Sequence, residues 1–241
     1  MTDSAPFRPL DLTAALVARV ERPLPDRDGE AGKVRLTEED FAAAADRLLA
    51  EAPPGPIRLF AYGSLIWNPA FEHDEVRRAT IRGYRRAFCL NLTGWRATPE
   101  VPGLMLALDR GGACTGLSYR LLPGDPKAQM MRLLQRECGH ADQLPWIRWL
   151  PCTSGGERFR VLVFYAAPRQ DTGGYLLRLP EEEQADRLAR ACGHKGSCAA
   201  YLRNTVDHLE RAGIHDRYLW RLQRMVAERI AMAPLRPGAP S

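Results

Sequence analysis

A chain of 241 residues with 45% apolar and 26% charged residues suits one large domain or two small ones and excludes wholesale disorder. No run of 18 apolar residues is present, and the start MTDSAPFRPL lacks the basic and apolar blocks of a secretory signal, so no membrane association and a cytoplasmic location are expected. The net charge of +5 comes from 34 Lys+Arg, all but three of them Arg; their densest group (Arg77-Arg78, Arg82, Arg85-Arg86) is interleaved with acids and apolar residues and reads as solvated surface, with no nucleic-acid partner expected.

Residues 1–36 are rich in Pro, Asp and Arg and read as an extended or partly disordered N-terminal arm. A helix is expected over 37–50, capped by Thr37, with Phe41, Ala44, Ala45, Leu48 and Leu49 on one face. APPGP at 52–56 breaks the chain. Six strands then follow at 57–62, 80–92, 103–108, 113–122, 146–152 and 159–167. Arg110-Gly111-Gly112 and Ser154-Gly155-Gly156 read as hairpin turns. One helix interrupts them, starting at Asp125-Pro126 and ending near Cys138-Gly139. Helices are expected at 180–192, 197–212 and 216–232, and 233–241 reads as a tail. The whole is α+β: a curled mixed sheet or barrel of about six strands with flanking helices, in a single domain over 37–232.

Two places could carry chemistry. Phe60-Ala61-Tyr62-Gly63-Ser64-Leu65 is an apolar strand running into a Gly-Ser turn. Such a turn can aim several backbone N–H groups at an anion or a developing oxyanion, or it can be an ordinary strand end. Glu137 shares a helical face with Met130, Leu133 and Leu134 at i, i+3, i+4 and i+7. A carboxylate there is either buried, with a raised pKa suited to proton transfer, or at the edge of the stripe and paired with Arg136 or Arg132.

The six cysteines (89, 114, 138, 152, 192, 198) include no CxxC pair and read as buried thiols, with no metal expected. The sequence contains no GxxxxGK[ST], GxGxxG after a strand, HExxH or GxSxG. Nucleotide-binding, zinc-protease and α/β-hydrolase chemistry therefore has no support.

FAYGSLIWNP (60–69) resembles the F-G-Y-G-S-L-x-W-N-P signature of the ChaC-type γ-glutamylcyclotransferases. The resemblance continues through RGYRRAFCL (82–90), RATPEVPGLMLALDRGG (96–112), CTGLSYRL (114–121), QRECGHADQLPWIRWLPC (135–152) and the segment 189–222. It implies cleavage of glutathione, or another γ-glutamyl compound, to 5-oxoproline without a cofactor. By that resemblance Phe60–Leu65 holds the γ-glutamyl group, with Tyr62, Gly63, Ser64 and Leu65 matching residue by residue, and Glu137 is the catalytic acid/base. Arg96 and Tyr201 are expected to bind the substrate's carboxylates or amide. Two departures stand out. Ala61 replaces the usual Gly, and the CGHADQL segment after Glu137 is longer and lacks a Tyr before its Pro. Activity on other γ-glutamyl amino acids or amines, or a non-catalytic binding protein of the same fold, are the alternatives.

Overall fold

The computed structural model describes residues 9–26, 34–69, 71–168 and 176–234. Residues 1–8, 27–33 and 235–241, which belong to the expected arm and tail, lie outside them. The chain divides into two compact units, one of Met1–Gly29, Phe88–Met105 and Leu177–Ser241, the other of Glu30–Ala87 and Leu106–Leu176.

The second unit is built on a closed barrel of β1 (Arg58–Ala61), β2 (His73–Leu92), β3 (Gly103–Leu121), β4 (Arg148–Ser154) and β5 (Glu157–Val163), in the order β1-β3-β2-β4-β5. β1 runs antiparallel to β3, with Ala61 opposite Leu117, and parallel to β5, with Leu59 opposite Leu162. That parallel pairing closes the barrel and makes it mixed. The last residues of β2 and the first of β3 belong to the other unit.

Five strands replace the expected six because Arg110-Gly111-Gly112 is not a hairpin. β3 runs straight through it, with Gly111 at φ +98° and Gly112 at φ +70°. Glycine takes up left-handed backbone without a Cβ clash, so the strand kinks and continues instead of reversing. Gly155 and Gly156 do form the expected two-residue turn: both have positive φ and Ser154 pairs with Glu157.

Outside the barrel, α2 (Glu38–Ala50) is fixed by a capping box: Thr37 Oγ1 accepts from Asp40 N at 3.2 Å, and the Asp40 carboxylate accepts from Thr37 N at 2.9 Å. Its buried Ala44, Ala45 and Leu48 pack in one cluster with Met130, Leu133 and Leu134 of α3 (Pro126–Glu137) and with Leu59, Ala61 and Leu162 of the barrel. Asp125 caps α3 and Pro126 opens it.

The first unit is helical: α4 (Glu181–Arg190), α5 (Cys198–Arg211) and α6 (Arg217–Met232), the last two capped by Ser197 and Asp216. α4 stops two residues before the expected end because Cys192–Gly193 forms a short strand, β6, paired with β7 (Gly196–Ser197). Residues 9–26 are not an extended arm. They hold a short helix, α1 (Ala14–Ala18), and bury Leu12, Val17 and Val20; Leu12 N also donates to Gln223 Oε1 at 2.8 Å. Among the described residues no helix is long and apolar enough to cross a membrane.

Candidate active site

β1 ends at Ala61, and Gly63 leads into a 3₁₀ turn over Ser64–Ile66. The turn's own bonds begin at Ile66 N to Gly63 O (3.0 Å), followed by Trp67 N and Asn68 N to Ser64 O. The N–H groups of Gly63, Ser64 and Leu65 precede those bonds and are not used by them, as at any helix start. Phe60 and Ala61 are fully buried and offer no side chain to a ligand. The methyl of Ala61 lies in the apolar cluster that also holds Leu65, so it fills the core. Gly116 on β3 lies against this point: a Cβ there would come within 2.3 Å of the Ala61 carbonyl oxygen, so only glycine lets the strands approach this closely.

Glu137 is the last residue of α3, and its side chain is 12% exposed. Burial pushes its carboxyl above the usual carboxylate range, and the charge and hydrogen bond of the Arg136 guanidinium oppose this only in part. Arg136 Nε donates to Glu137 Oε1 at 2.8 Å. Glu137 thus combines elements of both alternatives: its side chain is mostly withdrawn from solvent, and it is paired with Arg136.

Two tethers join Glu137 to the Gly63 turn. Arg136 also donates to the carbonyl of Pro69, at 2.6 Å, and to that of Asn68, just past the turn. On the other side Tyr62 Oη donates to Phe164 O at 3.0 Å, while the next residue, Tyr165, donates its hydroxyl to the Glu137 carbonyl. That carbonyl, at a helix end, has no partner within the helix. Tyr165 has φ +54°, an uncommon conformation for a bulky residue. The surrounding backbone imposes it: Leu108 N donates to Tyr165 O at 2.9 Å, Ala166 N to Trp146 O and Ala167 N to Leu108 O.

Tyr165 has no sequence signal, since its role lies in a backbone angle and a distant contact. Arg86, read as part of a solvated basic group, is another residue that sequence reasoning missed. It is buried, and its Nε donates to Tyr62 O at 2.7 Å. Arg96 and Tyr201 belong to the other unit, where the Arg96 guanidinium lies 5.6 Å over the Tyr201 ring and that ring packs edge-on to Phe88.

All six cysteines are buried free thiols. Burial raises the Cys152 thiol to about 11 and the Cys198 thiol to about 12, which leaves almost no thiolate at neutral pH. Among the described residues no three His, Cys, Asp or Glu side chains gather to hold a metal.

The family profile described as "ChaC-like protein" matches residues 57–229. The chain is 34% identical over 213 residues to an Escherichia coli K12 protein named glutathione-specific gamma-glutamylcyclotransferase, covering 83% of this chain and 87% of that one. The chain belongs to the ChaC-like family. An Arabidopsis thaliana relative, gamma-glutamylcyclotransferase 2-3, is 30% identical over 173 residues, covering 70% of this chain and 87% of that one. The ChaC-like fold agrees with a crystal structure of a γ-glutamyl cyclotransferase from yeast described as specific to glutathione. The TM-score is 0.62 at 19% identity, over 73% of this chain and all of that one.

Proposed function

We propose that this protein is a glutathione-specific γ-glutamylcyclotransferase that converts glutathione to 5-oxoproline and cysteinylglycine. The observation that carries the reading is a mostly buried carboxyl of raised pKa, Glu137, tethered to a turn whose first N–H groups its own bonds do not use. Family membership supplies the substrate class.

The chemistry is an internal acyl transfer. The α-amine of the γ-glutamyl group attacks its own γ-carbonyl, a C–N bond closes the five-membered lactam, and the amide bond to cysteinylglycine breaks. Glu137, once ionised, takes the proton of the attacking amine and returns it to the departing nitrogen, so no water is consumed. Burial, which raises its pKa, makes the protonated carboxyl less reluctant to form and so helps it hold the proton between the two transfers. Backbone N–H groups of the 62–65 segment face the oxygen that becomes an oxyanion, where one such donor is typically worth about 10²–10³ in rate. Holding the substrate folded makes ring closure a near-attack geometry. Tyr62, Gly63, Ser64 and Leu65 form the γ-glutamyl cradle, and Phe60 and Ala61 support it from the core. No enzyme nucleophile is needed.

Pure protein is incubated with glutathione and 5-oxoproline is quantified. Release of 5-oxoproline with equimolar cysteinylglycine supports the proposal. Product only from other γ-glutamyl compounds assigns a different substrate, and no product from any γ-glutamyl compound returns the chain to a binding role.

A further inference from the structure

Arg85 and Arg86 are neighbours in β2 with opposite surroundings. The Arg85 side chain is 57% exposed and pairs with Asp109 at 3.1 Å, whereas Arg86 is 5% exposed. Strand alternation explains which of them goes in. Ala79 and Ile81 are the buried phase of β2; Arg82 and Gly83 are then both exposed, and the buried phase resumes at Tyr84 and Arg86. Gly83, at φ +83°, is the extra residue that shifts the phase. Were Gly83 in regular alternation instead, position 85 would fall in the inward phase and Arg86 in the outward one.

The Arg86 guanidinium holds two carbonyls from different strands. Its Nε donates to Tyr62 O, just past β1, and another nitrogen donates to Thr115 O on β3. A planar fork can hold two acceptors at fixed angles, which an ammonium cannot do. Desolvating a cation is costly, so a packed apolar side chain would stabilise this place better if support were all it needed.

The second end of the same peptide matters more. A trans peptide is planar, so its C=O and the following N–H point in opposite directions. Anchoring Tyr62 O on Arg86 therefore turns Gly63 N–H away from Arg86. That N–H is one of the donors the 3₁₀ turn does not use.

We infer that Arg86 is a positioning residue for catalysis: by gripping the Tyr62 carbonyl it fixes the Tyr62–Gly63 peptide so that Gly63 N–H faces the γ-carbonyl oxygen of the substrate. The cation on the carbonyl side also polarises the peptide and strengthens that N–H as a donor, as hydrogen bonds in series do. The inference rests on the cyclotransferase reading of the loop. It adds that the oxyanion donor is oriented by a buried charge that never touches substrate.

The test uses the full chain and its Arg86→Met and Arg86→Lys variants, with kcat and KM for glutathione, melting temperature, and the ¹⁵N–¹H signal of Gly63 assigned by comparison with Gly63→Ala. A misaimed donor forfeits part of the usual oxyanion contribution, so Arg86→Met is expected to lose about 10–100-fold in kcat with KM within about threefold. Arg86→Lys, with a charge but no fork, is expected to recover part of the loss. The Gly63 signal is expected to be single in the parent and shifted or broadened in Arg86→Met. A folded Arg86→Met with kcat within twofold of the parent, a loss confined to KM, or an unmoved Gly63 signal overturns the inference while leaving the cyclotransferase reading in place. If Arg86→Met does not fold, Arg86→Lys decides: about a tenfold kcat loss at constant KM supports the inference, and parental kcat overturns it. A parent inert on glutathione defeats the functional proposal instead, and the Gly63 signal then judges the grip alone.

Discussion

The two units bury polar groups for different ends. Among the described residues of the helical unit the buried polar ones are Gln184, Ser197, Thr205 and Gln223, all uncharged. Each closes a structural gap: Gln223 takes Leu12 N and donates to Asp11 at 2.7 Å, Ser197 caps α5, Thr205 donates to Tyr201 O, and Gln184 donates to Leu179 O. In the barrel unit one buried polar residue is likewise uncharged, Ser118, but the chain also hides charge there, with Arg86 and Asp109 buried and Glu137 nearly so. Buried charge rarely adds net stability, so its concentration in one unit marks where stability has been exchanged for chemistry.

The contrast can be broken most severely at Gly63. Gly63→Val puts a β-branched side chain where the proposed reading lays the substrate against the main chain, and near-complete loss of turnover in a folded protein is expected. Ser64→Ala keeps the backbone N–H and is expected to be impaired but measurable. Intact-mass spectrometry during turnover should show no covalent adduct; a γ-glutamyl adduct on Ser64 or a cysteine would overturn the internal-amine mechanism.

Glu137→Gln comes next, with an expected fall in kcat of at least about 10²-fold from loss of the base. A variant keeping more than half its activity removes Glu137 from the mechanism. Stability should move the other way. The unfolded Glu ionises near its ordinary 4.5, while the folded one ionises higher. Between those two values the folded state holds more protons, so this residue's contribution to stability falls as pH rises through the window and stays lost above it. Glu137→Gln, free of that penalty, should melt at or above the parental temperature at neutral pH. Parental kcat should rise with pH through the raised carboxyl pKa, and a flat profile there contradicts the assignment.

Smaller effects sharpen the comparison. Tyr165→Phe removes the hydroxyl that donates to the Glu137 carbonyl, and a loss of roughly threefold to tenfold in kcat is expected from loosened positioning. In the helical unit Gln223→Leu should cost about 1–3 kcal/mol of stability by leaving Leu12 N unpaired, with kcat per folded molecule unchanged. A matching drop in kcat would show that the helical unit also carries chemistry. Least of all, iodoacetamide on the native protein should leave activity intact, because every thiol is buried.

The helical face that Glu137 shares with Met130, Leu133 and Leu134 was legible in the sequence because a helix repeats every 3.6 residues, while its proposed role came from the family resemblance alone. The capped helices were legible for the same local reasons. What local pattern could not carry was depth and phase. Arg86 looked like its neighbour until Gly83 shifted the strand by one residue, and Arg110-Gly111-Gly112 looked like a reversal because positive φ serves bulges and turns alike. α1 spans five residues in a Pro-rich stretch and gives no periodicity to read. Tyr165 depends on a clamp made by Leu108 and Trp146, which only tertiary structure brings to it.

The Gly63 turn hangs on β1, a strand of four residues whose ladder partners are Leu117 and its neighbours and, across the closure, Leu162. During synthesis those partners emerge long after the turn itself, and non-local pairings are slow to form. A nascent chain that has not yet reached Glu157 lacks the strand that closes the barrel, and the Tyr165 hydroxyl that bonds the Glu137 carbonyl comes later still. On the proposed reading such a chain is inactive, so activity should appear abruptly, only once elongation has passed the closing strand.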